Sequence, residues 1–177
     1  MLEIIALISK AVWLMLPAYI ANPTAVVFGG GTPVDFGKNW KDGRRILGDG
    51  KTYLGLIGGT ACGIIVGIMQ MNVPSQWSLG SFTLTTIITL SFGALLGDMV
   101  KSFFKRRSGF ERGAKLPLVD QLDFVAGAWI LTYLFDPLWF SDNFTFWIII
   151  TVLILTPLLH RLTNIIGYYL KLKKVPW

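Results

Sequence analysis

Residues 54–71 read LGLIGGTACGIIVGIMQM, a run with no charged side chain. As a helix it comes close to the roughly 30 Å needed to cross bilayer hydrocarbon. Gly55, Gly59 and Gly63 recur at every fourth position, the spacing that lets helices approach closely in lipid. The stripe therefore reads as packing surface rather than chemistry. Cys62 lies inside the same run with no partner for a disulfide and no metal-ligand spacing, and reads as a small buried hydrophobe.

Working outward from this run, similar blocks recur, and the apolar segments fall near 4–27, 53–73, 79–100, 120–137 and 144–167. The 177-residue chain is 53% hydrophobic and 15% charged, with mean hydropathy +0.59; a soluble domain carries about 25% charged residues. The net charge of +6 lies between the blocks, which excludes a nucleic-acid surface and matches the loops of a membrane protein. Loop 28–52 carries Lys38, Lys41, Arg44, Arg45 and Lys51; loop 101–119 carries Lys101, Lys105, Arg106, Arg107, Arg112 and Lys115. The connections 74–78 and 138–143 contain neither lysine nor arginine, whereas the C-terminal end carries Lys171, Lys173 and Lys174. The positive-inside rule then predicts an all-α integral membrane protein of about five transmembrane helices. Its N-terminus lies outside, its C-terminus is cytoplasmic, and its two long polar loops face the cytoplasm. The first block starts with Glu3, has no basic leader region and no small-residue cleavage site, so it reads as a mature helix rather than a signal peptide. Within it, Pro17 and Pro23 predict a kink or an early end. Trp13, Trp77, Trp139, Trp147 and Trp177 fall near helix ends and read as interface belt residues. Residues 1–177 form a single transmembrane domain on this reading.

The loops hold more polar structure than orientation requires. The first, FGGGTPVDFGKNWKDGRRILGDGKT (28–52), mixes glycines with Asp35, Asp42, Asp49 and five cations, and ends on Thr52 at the predicted entry to the second helix. Glycines and cations at a helix N-terminus suit phosphate. The ending GDGKT is not a P-loop, because Arg45 stands where the G-x-x-x-x-G-K-[ST] spacing needs glycine. The second, GDMVKSFFKRRSGFERGAKLPLVDQLDF (97–124), places Asp98, Lys101, Ser102 and Lys105 on one helical face. Asp98 falls at membrane depth, where an ionisable side chain is a functional candidate. Asp120 and Asp123 share a face at the start of the fourth helix and suit either an N-cap or a divalent-metal site. Hard carboxylate oxygens with phosphates select Mg²⁺. Capping leaves Asp98 unexplained. Phosphates need cations, metals need carboxylates, and a lipid-phosphate substrate needs both at the bilayer surface. His160, at the end of an apolar run beside Arg161, reads as structural.

Gly97-Asp98, Lys101-Ser102, Lys105-Arg106, Lys115, Pro117 and Asp120-Gln121-Leu122-Asp123 resemble, in order, the signature of integral-membrane CTP:phosphatidate cytidylyltransferases. Leu118-Val119 and Gln121 depart from the bacterial and eukaryotic signature. The compact chain, with N-P-x-x-x-x-F-G-G-G-T-P-x-D-F-G from Asn22, looks more like the archaeal branch, the CDP-archaeol synthases. The resemblance implies CMP transfer from CTP to an isoprenoid ether-lipid phosphate, 2,3-di-O-geranylgeranylglyceryl phosphate. Pyrophosphate is released, and one or two Mg²⁺ ions sit at Asp98, Asp120 and Asp123. Lys101 would join these aspartates as catalytic. Lys105, Arg106, Arg107 and Lys115 would neutralise the phosphates, and Ser102 would donate a hydrogen bond. Asn22, Asp35, Lys38, Arg44, Arg45, Asp49, Lys51 and Thr52 would cover the nucleotide. The acceptor is already anionic, so no general base is needed. A membrane-soluble acceptor implies a groove between helices.

Rival classes fit less well. The D-G-x-x-A-R-x₈-G-x₃-D-x₃-D pattern of CDP-alcohol phosphotransferases is broken at Arg44-Arg45. A lipid-phosphate acyltransferase would bind no CTP, a transporter would carry midplane charges, and a structural adaptor leaves the aspartates without a role. Diacyl phosphatidate stays open as the acceptor.

Overall fold

A computed structural model describes residues 1–110 and 116–171. The described residues fold into α1 (Leu2–Val27), α2 (Tyr53–Met71), α3 (Leu84–Arg107), α4 (Val119–Phe135), α5 (Pro137–Asn143) and α6 (Phe146–Tyr169). No β-strand forms among them; Pro33–Thr52 and Asn39–Arg45 make only isolated bridges. α1, α2, α3 and α6 are long and apolar enough to cross a membrane.

Three departures from the sequence expectation matter. α1 runs unbroken through Pro17 and Pro23. α3 starts at Leu84 rather than near 79 and continues to Arg107, so the helical face read through Asp98, Lys101, Ser102 and Lys105 holds, and Arg106 and Arg107, expected in the loop, lie on the helix as well. The stretch expected as the last outer connection instead contains α5, started by Asp136, whose carboxylate accepts the Trp139 N–H at 3.2 Å. Hydropathy ends where charge begins, but backbone hydrogen bonding continues wherever side chains tolerate it.

Small residues set the packing. A Cβ on Gly55 or Gly59 would sit 2.7 Å from the Ala25 or Ala21 carbonyl oxygen of α1, and one on Gly63 would sit 2.6 Å from that of Pro17. The glycine stripe is therefore a packing surface, as read. A second close contact joins α3 and α4: a Cβ on Gly97 would overlap the Asp123 carbonyl oxygen, and one on Gly127 would overlap that of Gly93. Higher up this pair, the Thr89 and Thr132 hydroxyls meet at 3.0 Å, and Thr83 donates to Asp136 at 3.3 Å. Contacts between the two helices thus run from Lys105 and Asp120 at one end to Thr83 and Asp136, the residue that follows the 17-residue α4, at the other.

The core gathers Leu14, Met15, Ile87, Leu90, Val125 and Val152, all buried. Two of the expected belt tryptophans anchor the end away from the polar loops instead. Trp13 donates to the Gly80 carbonyl at 3.3 Å, and Trp139, buried, donates to that of Ser81 at 2.7 Å. Trp77 and Trp147 are exposed, and Trp177 lies outside the described residues.

Candidate active site

At the polar-loop end, the α3–α4 contact brings four charged side chains together. The Lys101 ammonium lies 3.0 Å from Asp98 Oδ1, 3.4 Å from Asp120 Oδ1 and 2.6 Å from Asp123 Oδ2. Lys105 Nζ stands 2.9 and 3.1 Å from the two oxygens of Asp120. Lys51, arriving from the first loop, pairs with the other oxygen of Asp98. Gly97 is what permits this, because a side chain there would push α4 and its aspartates away.

Neither Asp120 nor Asp123 caps α4. The N-cap is Leu118 with no side-chain cap; Asp120 accepts the Leu116 N–H at 2.7 Å and Asp123 that of its own neighbour Phe124 at 2.7 Å. The alternative of a helix cap is thereby removed for both. Three ammoniums face three carboxylates, so charge cancels within a set that is largely withdrawn from water. Such a set is held by pairing rather than by its intrinsic stability.

The cluster forms one wall of a cavity of about 480 Å³. Of the residues singled out in the sequence, Asn22, Lys51, Thr52, Asp98, Lys101, Lys105, Asp120 and Asp123 line it. Thr52 is the N-cap of α2 and accepts the Gly55 N–H at 3.1 Å, so the positive end of that helix opens beside Gly50 and Lys51. His160, Thr163 and Asn164 of α6 complete the wall. Sequence reading took His160 as structural and passed over Thr163 and Asn164, because all three lie about forty residues from Asp123 in an apolar segment. Their only signal was polar side chains at helical spacing late in that segment. Asn164 Nδ2 is 3.2 Å from His160 Nδ1, and the imidazole stacks on Phe124.

Other expected site residues lie outside the cavity wall. Asp35, buried, accepts N–H groups from Gly37, Leu47 and Gly48 at 3.1, 2.9 and 2.9 Å and pairs with Arg45 at 2.8 Å. Against the upward push of burial, the guanidinium and the Gly48, Leu47 and Gly37 N–H groups hold this carboxyl well below the usual carboxylate range. Arg45 also grips Asp49. Arg44 donates to the Arg107 carbonyl at 3.0 Å, and Arg107 pairs with Asp42 at 2.7 Å while lying over Trp40 and Phe103. Arg106 donates to the Phe110 carbonyl at 2.6 Å. Lys38 is exposed, Ser102 is buried in α3 away from the cavity lining, and Lys115, with Arg112, Lys173 and Lys174, lies outside the described residues. These loop groups tie the first loop to the end of α3; the cavity itself keeps the lysines.

The three carboxylates of α3 and α4 are the groups suited to a hard cation. Among the described residues no carboxylate, histidine and cysteine group stands ready to grip an ion as arranged. The oxygens of Asp98, Asp120 and Asp123 nevertheless converge on one point, now filled by the Lys101 ammonium. All-oxygen ligands of this charge fit Mg²⁺ in that place.

A multi-pass helical bundle with a charged cavity at one end, beside lipid-facing helix surfaces, defines a membrane-embedded enzyme for an anionic substrate. Residues 4–177 match the family model CarS-like: CDP-archaeol synthase. The CDP-archaeol synthase of Methanosarcina barkeri is 57% identical over 175 residues, with 92% of this chain and 100% of that protein covered. That of Methanospirillum hungatei is 58% identical over 166 residues with the same coverage. A solved structure described as an intramembrane enzyme for archaeal membrane lipids biosynthesis aligns with TM-score 0.74 and 41% identity, covering 89% of this chain and 94% of that one. The chain belongs to the CarS-like, CDP-archaeol synthase family.

Proposed function

We propose that this chain transfers CMP from CTP to an isoprenoid ether-lipid phosphate, giving CDP-archaeol and pyrophosphate in membrane lipid synthesis. The observation that carries the chemistry is the Lys101 ammonium held by three carboxylates from two helices at the wall of a cavity. A phosphate oxygen of the lipid attacks the α-phosphorus of CTP in line. The new P–O bond forms as the bond to the bridging α–β oxygen breaks, and pyrophosphate leaves with that electron pair. The acceptor is anionic at neutral pH, so no residue need remove a proton. Lys51, Lys101 and Lys105 present ammoniums that incoming phosphates can claim from their present carboxylates, and the Gly50–Thr52 turn offers the N-terminus of α2. Asp98, Asp120 and Asp123 would hold Mg²⁺, which when bound supplies charge neutralisation across the triphosphate oxygens. The first loop, clipped by Asp35, fixes where Lys51 and Thr52 stand: Val34 N–H reaches the Lys51 carbonyl at 2.8 Å, and Tyr53 N–H that of Thr32 at 3.1 Å.

The topology proposed with this function has five crossings. Supporting it, Asp120 of α4 and Asp136 just after it meet opposite ends of α3, and the basic loops close the same end of the bundle, so that end faces the cytoplasm under the positive-inside rule.

The test is turnover of radiolabelled CTP by detergent-purified protein, with and without Mg²⁺, offering archaeal ether-lipid phosphate and diacyl phosphatidate in parallel. A Mg²⁺-dependent, lipid-soluble cytidine product favouring the ether lipid is expected. Equal or better use of phosphatidate would move the acceptor to the diacyl class, and no product from either would remove the reading.

A further inference from the structure

A second cavity, of about 450 Å³, lies on a neighbouring face of the α3–α4 pair. Lys101, Lys105 and Asp123 line both cavities; apart from these and Ser108 the second is walled by apolar side chains and glycine alone. Its charged groups sit at the loop end. Its apolar part runs down to Ile130 and Leu131, which is about 10 Å of helix below Asp123. Val100 and Ile130 on its walls are 54% and 62% exposed, so the groove opens sideways where lipid would be. Ala126 and Gly127 give it depth, since neither fills the space beside α3.

We propose that this α3–α4 groove seats the hydrocarbon chains of the phosphorylated lipid acceptor, with its phosphate at Lys101 and Lys105. The inference rests on the function proposed above and adds the acceptor's place to it. An amphiphile with an anionic head and apolar chains matches the groove end for end. The groove offers a nucleobase no hydrogen-bonding partners along its apolar part, and the more polar cavity beside it does. In-line displacement also needs the attacking oxygen and the leaving group on opposite sides of phosphorus. Two cavities that share the same lysines supply two directions of approach.

Ala126→Trp and Val100→Trp fill the groove from its two walls, with Ile57→Trp on the exposed face of α2 as control. In mixed micelles the KM for the long-chain acceptor should rise at least about tenfold in both groove variants, roughly the loss of 1.4 kcal/mol of chain contact. The Kd for CTP and the KM for a short-chain ether-lipid phosphate should stay within about twofold. An unchanged long-chain KM with intact CTP binding overturns the proposal; if the oligomer mass shifts at the same time, the groove belongs to a second copy of the chain. Against misfolding of the tryptophan variants, a benzophenone amino acid at position 100 should capture the acceptor lipid on irradiation, and the same group at 57 should not. Equal capture at both positions also overturns it. Capture at position 100 by protein that binds CTP but makes no product would keep the groove and remove the function.

Discussion

Two clusters of aspartates and cations occupy the same end of this molecule, and they are built differently. In the first loop Asp35 takes three backbone N–H groups and the Arg45 guanidinium, so its carboxylate is fully engaged by its own loop. At the α3–α4 contact Asp98, Asp120 and Asp123 face lysines, each a point charge on a flexible stem, at a cavity wall. A guanidinium fork with backbone donors fixes a conformation, whereas ammonium pairs can be exchanged for a ligand's charge without rebuilding the backbone. On the proposed function, the loop cluster positions and the helix cluster meets the substrate.

That contrast can be broken by substitution. Asp123→Asn, nearly isosteric, should lower turnover at least about a thousandfold while membrane insertion and helical content stay as in the wild type; wild-type turnover would end the proposed role of Asp123 in holding the metal. Gly97→Ala attacks the same cluster through the backbone, since its new methyl meets the Asp123 carbonyl. A loss of about 1–3 kcal/mol in thermal stability with reduced turnover is expected, and an unchanged melting curve would mean that α3 and α4 separate freely.

The loop cluster should respond in another observable. Asp35→Asn should leave chemistry in place but raise the KM for CTP and speed amide exchange at Leu47 and Gly48, a local cost of about 1–3 kcal/mol. Because the Asp35 carboxyl is held below its ordinary value of 3.8, its stabilisation is complete above that value and fades only as pH falls through the depressed one. Protection at Leu47 and Gly48, corrected for intrinsic exchange, should thus stay flat between about pH 8 and about pH 5. A midpoint within that window would show that another group holds the loop. The smallest effect belongs to Arg107→Lys, which keeps the charge opposite Asp42 but loses the planar contact with Trp40 and Phe103. It should cost about 1 kcal/mol or less in thermal stability and leave turnover near wild type; a large fall in turnover would place this arginine in the reaction.

Much of the candidate site was legible in the chain. Asp98, Lys101 and Lys105 share a helical face by spacing alone, and Asp120 and Asp123 follow in an ordered signature. The loop residues Asp35, Arg44, Arg45 and Asp49 were legible as polar and glycine-rich, but spacing does not reveal whether a cation faces a ligand or a neighbouring carboxylate. Asn164 was hidden, and His160 read as structural, for the opposite reason, as polar groups inside a segment whose mean character is apolar. The tryptophans at positions 13 and 139 matched the interface pattern, yet their indole N–H groups found carbonyl partners at Gly80 and Ser81, in the turn before α3.

The sequence by itself determined that the chain partitions into apolar helical segments with basic loops between them, because transfer of side chains into hydrocarbon is a local, additive property. It also determined the glycine stripe of α2. Only the tertiary structure decided where α3 begins and ends, how α4 packs along it, and which lysine meets which aspartate. Those outcomes depend on backbones touching at Gly97 and Asp123 and on loops folding back over helix ends. Contacts between residues distant in the chain are set by shape and pairing, which no local pattern carries.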